Sequence, residues 1–183
     1  FLNYVNDGDY DQSFIHRSVA GFVVQGGGFR YIEPYFYSVP TEPTITNEFA
    51  LSNVRGTVAM AKKENDPNSA SSQWFINLAD NSANLDAQNG GFTVFGTVVL
   101  GMDVADAIAA LPTYFLGPGL EPIGNQVPLR NLPPADPVVW EDHLVMIDSA
   151  TQESFSVPVL PWMFVALLAA LLGTTGINRH RLG

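Results

Sequence analysis

Apolar positions along the first two thirds of the chain come in short runs separated by Gly, Pro, Asn and Asp. Phe1, Leu2 and Val5 allow a short helix that ends at Asp7-Gly8, where Gly tolerates the left-handed turn that closes a helix. Ser13 to Val19 reads as a strand and Phe22 to Gln25 as a second, with Gly21 between them and Gly26-Gly27-Gly28 ending the second. Tyr31 to Asn47 contains Pro34, Pro40 and Pro43 and reads as an extended loop. Thr57 to Ala61, Gln73 to Leu78, Phe92 to Leu100 and His143 to Asp148 are apolar or β-branched runs of strand length. Polar, turn-rich loops over Lys62 to Ser72 and Ala79 to Gly91 separate them, and Leu116 to Pro137 is a long Pro/Gly-rich loop. One longer helix is predicted, capped by Asp103 and running through Ala110, with Val104, Ala107, Ile108 and Leu111 as its apolar positions and Pro112 as its stop. Short strands with few helices and no internal repeat predict an all-β barrel or sandwich.

Charge narrows the functional classes. The 183 residues carry 18 acids and 8 bases, a formal charge of −10, which argues against nucleic acid as a partner because phosphate contacts need clustered Lys and Arg. With no cysteine there is no disulfide framework, thiolate metal site or Cys nucleophile. His16, His143 and His180 are too scattered for a metal triad. No GxSxG or HExxH motif occurs, and the triple glycine lacks the Lys-Ser/Thr of a phosphate loop. The carboxylate pairs Asp7/Asp9 and Glu141/Asp142 read as solvated turn charges. Neither a metal nor a cofactor is therefore expected.

The chemistry sits in Phe14-Ile15-His16-Arg17-Ser18-Val19-Ala20-Gly21-Phe22-Val23-Val24-Gln25-Gly26-Gly27-Gly28-Phe29. In a single strand Ile15, Arg17 and Val19 share a face and His16 takes the other. An arginine flanked by apolar residues needs partners, either an ion pair or a functional role. The segment resembles the central motif of the cyclophilins, the peptidyl-prolyl cis-trans isomerases. The resemblance continues in Ser72-Gln73-Trp74-Phe75-Ile76-Asn77, in Leu85-Asp86 and in Phe92-Thr93-Val94-Phe95-Gly96, in family order, covering Phe1 to Ser149.

That resemblance implies a mainly β fold, a closed antiparallel eight-stranded barrel with capping helices, and isomerisation of X–Pro bonds in proline-containing polypeptides. It implies Arg17 as the catalytic residue, donating to the prolyl nitrogen. Phe22, Val23, Phe75, Leu85 and Phe92 match the apolar proline pocket. Gln25 matches the glutamine that bonds substrate backbone and orients the arginine. Ala61 and Lys62 match the edge that pairs with residues before proline, and Gln73 borders the groove. The rival reading is a catalytically weak proline-peptide-binding or chaperone module on the same fold.

Several positions depart from the family pattern. Asn84 stands where the best-known eukaryotic members carry a Trp that matters for cyclosporin, which implies weak cyclosporin affinity. Val23 replaces a Met, Phe92 a His, and Lys62 an Asn; the overall pattern looks closer to bacterial members. The sequence opens inside what would be the family's first helix, so the domain, residues 1–150, is expected to lack the first strands and to be N-terminally incomplete.

The end of the chain has a different composition. No charge lies between Glu153 and Arg179, and the segment from Trp162 to Leu172 is almost wholly apolar. Without the arginines Arg179 and Arg181 the preceding body stands at −12. The expected layout is a Pro-containing linker over 151–161, a transmembrane helix over 162–178 and a basic tail over 179–183. Trp162 and the arginines serve as interface anchors. The positive-inside rule places the basic end in the cytoplasm and the acidic domain outside, in the periplasm or cell envelope. The tail also resembles C-terminal sorting signals of exported Gram-negative bacterial proteins, which implies a membrane sorting protease as a further partner.

Overall fold

The computed structural model describes residues 1–116, 126–132 and 139–153, and the body treated below spans Phe1–Gln152. The linker, membrane-helix and basic-tail expectations fall almost wholly outside the described residues. Among the described residues no helix is long and apolar enough to cross a membrane.

The chain begins with α1 (Leu2–Asn6) and continues through β1 (Ser13–Phe14), β2 (Arg17–Val19), β3 (Val23–Gly26), β4 (Phe29–Ile32) and β5 (Tyr35–Ser38). After a long connection come β6 (Thr57–Met60), β7 (Trp74–Asn77), α2 (Ser82–Leu85), β8 (Val94–Thr97) and α3 (Met102–Ala109). The short β9 (Thr113–Tyr114), β10 (Val127–Pro128) and β11 (Met146–Ile147) follow, with a 3₁₀ turn over Glu141–His143.

All strand pairs are antiparallel, in three sheets ordered β11-β1-β4-β5, β10-β9 and β2-β3-β7-β6-β8. The fold is therefore mainly β, as the turn spacing predicts. Closure into an eight-stranded barrel is not seen among the described residues, where β5 and β8 each pair on one side only.

Three local expectations need correction. The strand expected over Ser13 to Val19 is two strands in two sheets. The chain crosses at Ile15 and His16, whose N–H groups donate to Val145 and Gln25 carbonyls at 2.9 and 3.1 Å. Ile15 consequently packs with Val24, Leu78 and Ala105, away from the face that carries Arg17. The loop expected over Tyr31 to Asn47 contains the β4–β5 hairpin, turning at Glu33-Pro34, with Tyr31 and Phe36 rings 5.0 Å apart. Pro34 lies in the turn rather than in a ladder position, so it does not interrupt the pairing.

The helix near Asp103 is capped instead by Gly101 at φ +86°. Its inward face is Met102, Ala105, Ile108 and Ala109, while Val104 is exposed. An i, i+3 stripe exists in both frames, and tertiary contact selects the one that covers Ile15 and Val24. Arg55 holds this end of the body together. It donates to the Leu78 carbonyl at 2.6 Å and to both Asp106 carboxylate oxygens at 3.0 and 2.7 Å.

One core packs Phe14, Phe29, Tyr31, Val127, Leu129 and Leu144. A second, on the other sheet, packs Val23, Ala59, Phe75, Leu85 and Val94, with Phe22, Ala61 and Phe92 against it. The flanking Phe22, Ala61 and Phe92 are only partly buried, and the candidate site is built on this cluster.

Candidate functional site

Cross-strand partners in an antiparallel sheet share a face. Arg17 on β2 pairs with Gln25 on β3, Gln25 with Phe75 on β7, Phe75 with Ala59 on β6, and Ala59 with Val94 on β8. That register lays a cation, an amide and an apolar stretch in one row. Val23 joins the same face two positions from Gln25. The order follows from the alternation of Arg17, Val19, Val23, Gln25, Phe75 and Asn77 along three neighbouring strands.

Loops supply the remaining wall. Phe22 precedes β3, and its carbonyl accepts from Leu78 N–H at 2.8 Å and Asn81 Nδ2 at 2.9 Å. Leu85 ends α2 and accepts the N–H of Phe92 at 3.1 Å. The Phe75 and Phe92 rings meet edge to face at 5.8 Å, a geometry that aromatic quadrupoles favour. The structure thus gathers Phe22, Val23, Ala61, Phe75, Leu85 and Phe92 into one apolar cluster.

Arg17 is half-buried and lies 6.0 Å from the Phe22 ring centroid. Burial lowers its pKa, yet a guanidinium stays charged in proteins. Its side-chain partner is Gln25 Oε1 at 3.4 Å. The ion pairs among the described residues are Arg30–Asp9, Arg55–Asp106 and His143–Asp142. Among these described residues no carboxylate pairs with Arg17. The Arg30–Asp9 pair, at 3.3 Å, corrects the reading of Asp9 as a solvated charge, whereas Asp7, Glu141 and Asp142 are exposed.

Gln25 Nε2 donates in turn to Gln73 Oε1 at 2.8 Å. Because a guanidinium only donates, Gln25 must present its carbonyl to Arg17 and its amide nitrogen to Gln73. Gly27 lets this region close up. At φ +76° it would place a Cβ 2.6 Å from the Ser72 carbonyl, so only glycine fits. A cavity of about 280 Å³ opens beside Gln73, bordered by Gly28, Glu42 and Lys63.

Ala61 donates its N–H to the Gln73 carbonyl at 2.9 Å, which joins the end of β6 to the loop before β7. Lys62 extends away from that edge. Its ammonium donates to the carbonyls of Asn89 and Gly91 at 2.8 and 2.6 Å and sits 4.6 Å from the Phe92 centroid. Of the residues expected from the sequence, Phe22, Val23, Ala61, Phe75, Leu85 and Phe92 share one cluster, Arg17, Gln25 and Gln73 form a hydrogen-bonded chain, with Arg17 near the Phe22 ring, and Lys62 lies over Phe92. Asn84 is exposed and hydrogen-bonded to Gln88.

Sequence reasoning missed the polar support beside the apolar cluster. Asn53, Asn77 and Thr57 are buried, as is Asn81. Asn53 Nδ2 donates to Asp86 Oδ1 at 2.9 Å and to the Phe92 carbonyl at 3.0 Å. Asn77 Nδ2 donates to Thr57 at 2.9 Å and Asn53 Oδ1 at 3.3 Å, and Asn81 Nδ2 to Asn77 Oδ1 at 2.7 Å. These bonds hold Phe22, the Leu85–Asp86 turn and Phe92 at fixed separations. Asn53 stands outside every recognisable block, and no periodicity marks it.

His16 is 3% exposed, with its ring edge to face on Phe29 at 5.1 Å. Burial pushes its pKa down to about 4; a hydrogen bond with Gln73 opposes the shift and the Arg17 charge adds to it. The imidazole is thus neutral in the folded state, and its protonation favours the unfolded chain, whose histidine titrates at the ordinary value. Between these pKa values the unfolded state binds more protons, so stability rises with pH there and falls as pH drops from about 6.5 toward about 4. The loss is expected to approach about 3 kcal/mol at the lower end. Urea unfolding at pH 7 and pH 4.5 checks this: His16→Asn flattens the difference, and an equally steep profile in the variant would refute the assignment.

Among the described residues no cluster of three or more His, Asp or Glu side chains could hold a metal. The arrangement sets a half-buried cation, Arg17, beside an apolar cluster.

A profile of the family described as "Cyclophilin type peptidyl-prolyl cis-trans isomerase/CLD" matches residues 1–126. A peptidyl-prolyl cis-trans isomerase of Acinetobacter baylyi is 44% identical over 120 residues, covering 64% of this chain and 62% of that protein. Peptidyl-prolyl cis-trans isomerase A of Dickeya dadantii is 45% identical over 122 residues, with the same shares covered. Peptidyl-prolyl cis-trans isomerase B of Escherichia coli is 42% identical over 119 residues, covering 62% of this chain and 70% of that protein. The chain thus spans 62% of the length of the first two relatives. A Cryptosporidium parvum cyclophilin-type isomerase, crystallised in the presence of the dipeptide Ala-Pro, aligns at a TM-score of 0.49 and 24% identity, covering 62% of this chain and 70% of that one. With the family profile matching more than half of its residues, the chain belongs to the cyclophilin-type peptidyl-prolyl cis-trans isomerase family.

Proposed function

We propose that this chain catalyses cis–trans rotation about X–Pro peptide bonds, with Arg17 as the catalytic residue. The observation that carries the reading is Arg17 itself: a half-buried cation with no carboxylate partner among the described residues, held by Gln25 at 3.4 Å beside the Phe22, Phe75 and Phe92 cluster.

The amide resists rotation because the prolyl nitrogen lone pair is delocalised, with a barrier of about 18–20 kcal/mol. In the twisted state that lone pair is localised and basic. A guanidinium N–H aimed at the nitrogen bonds to it only there, which lowers the barrier without a nucleophile or cofactor. Raising a rate from about 0.01 s⁻¹ to about 100 s⁻¹ requires about 5–6 kcal/mol. A charged hydrogen bond, with the proline ring seated against Phe75, Leu85 and Phe92, is of the right order. Gln25 and Gln73 hold the guanidinium's approach, and Ala61 and Lys62 form the edge for the substrate backbone. The test is a protease-coupled Xaa-Pro peptide assay on the chain and its Arg17→Ala variant. Equal rates would leave only the rival reading, a proline-peptide-binding module.

The same proposal includes the eight-stranded closed barrel that the family resemblance implies. It also includes an exported location in which residues 162–178 span the membrane and the basic end lies in the cytoplasm, with a sorting protease as a partner. The uncharged, apolar composition of that segment and its flanking Trp162 and Arg179 support this part. Protease added to spheroplasts should digest the acidic domain; its protection would refute export.

A further inference from the structure

Two cations lie over the pocket's aromatic walls, and the proposed chemistry uses only Arg17. The other is Lys62, whose Nζ sits 4.6 Å from the Phe92 centroid. Two of its three N–H donors are taken by the Asn89 and Gly91 carbonyls, which leaves one donor without an acceptor among the described residues. Those two carbonyls fix the ammonium in place, so a ligand meeting it incurs little further loss of side-chain freedom.

Lys62 follows Ala61, which packs against the pocket cluster. A proline ring touching Phe92 would bring its neighbouring residue, one 3.8 Å step along the chain, within side-chain reach of the ammonium. The acids near Lys62 in sequence or structure do not neutralise it. Asp86 is engaged by Asn53, Glu64 and Asp66 are exposed in the following loop, and no ion pair of Lys62 occurs among the described residues. The rim of the pocket is therefore cationic in a chain whose net charge is −10.

We propose that Lys62 makes the groove prefer substrates with a carboxylate side chain, Asp or Glu, directly flanking the proline. The inference rests on the isomerase reading and deepens it by naming a substrate class. Partial burial lowers the ammonium's pKa because desolvation penalises its charged form, a penalty that a substrate carboxylate placed beside it would offset. The preference acts through the charge, so it weakens as salt shortens the screening length.

The test uses the full chain and four acetylated, amidated peptides: Ala-Glu-Pro-Ala, Ala-Gln-Pro-Ala, Ala-Pro-Glu-Ala and Ala-Pro-Gln-Ala. NMR exchange measures catalysed rotation and titration measures Kd. Each Glu/Gln pair differs by one charge, so any general effect of a variant on folding or turnover cancels in the ratio. At low salt at least one Glu/Gln ratio should favour Glu by about two- to fivefold, the range of a partly exposed ion pair. It should fall toward one in Lys62→Met and in high salt, and survive in Lys62→Arg. Arg17 remains in Lys62→Met, so a preference that persists there belongs to Arg17 and overturns the proposal, as do ratios of one or below in the unaltered chain. If the unaltered chain rotates none of the peptides, the isomerase reading fails, and the Glu/Gln ratio of Kd values still decides the role of Lys62.

Discussion

Arg17→Ala should lower kcat/KM for Xaa-Pro peptides by about 100- to 1000-fold, the usual effect of removing one preorganised donor from a site that stabilises developing charge. Stability should change little. Among the described residues the half-buried Arg17 has no ion pair, and its side-chain bond to Gln25 is long at 3.4 Å. Losing that bond costs at most about 1 kcal/mol, because Gln25 keeps its bond to Gln73 at 2.8 Å. The effect should appear in kcat more than in KM, since the bond to the prolyl nitrogen forms only in the twisted state. Arg17→Lys should recover only part of the rate, because an ammonium on a flexible stem lacks the planar fork that Gln25 orients. A rate loss below tenfold for Arg17→Ala, with urea unfolding unchanged, would remove Arg17 from the mechanism.

Asn53→Ala should have the largest effect on stability, about 3 kcal/mol by urea unfolding. Truncation leaves the Phe92 carbonyl and the Asp86 carboxylate each short of a donor and removes an acceptor from Asn77. Each buried group left without its bond costs about 1–3 kcal/mol, and Asn53, with no measurable exposure, leaves a void that water does not readily fill.

The same variant should change the acid limb. Burial tends to raise the Asp86 pKa, but its bonds from Asn53 and Ser52 outweigh this and hold it below the ordinary value. A carboxylate depressed in this way contributes stability above its unfolded pKa and loses it as pH falls through the folded one. Without the Asn53 amide that contribution shrinks, and acid unfolding begins at higher pH. Because Asn53 ties Phe92 to the Leu85–Asp86 turn, KM should rise as well. An Asn53→Ala protein within 0.5 kcal/mol of the parent, about the level of an ordinary surface substitution, would show that the network is not structural support.

The residues of the groove were legible in the sequence to very different depths. Strand alternation singled out Arg17 as a cation flanked by apolar residues, whereas Gln25, Phe75 and Val23 were reached through the family resemblance. The pocket loops at Phe22, Leu85 and Phe92 were reached only through the family resemblance, since aromatic residues between turns are ordinarily plain core. Asn53 was invisible because a buried amide is defined by the partners that surround it, and these come from β7, α2 and the loop before β8. Lys62 was visible as a departure, but its side chain's role depends on two carbonyls 27 and 29 residues further on.

By itself the sequence determined what local sterics and alternation can determine: a mainly β chain, turns at Gly and Pro, the positions able to face one way on β2, β3 and β7, and the absence of thiol chemistry. It misjudged the crossing at Ile15–His16, the β4–β5 hairpin and the inward face of α3. In each case the local pattern allows two outcomes, and packing with distant residues selects one. Only the tertiary structure decided that, among the described residues, Arg17 meets Gln25 rather than a carboxylate and that Lys62 stands over the Phe92 ring. Charge pairing is a property of distance in space, and nothing in the order of residues along the chain records it.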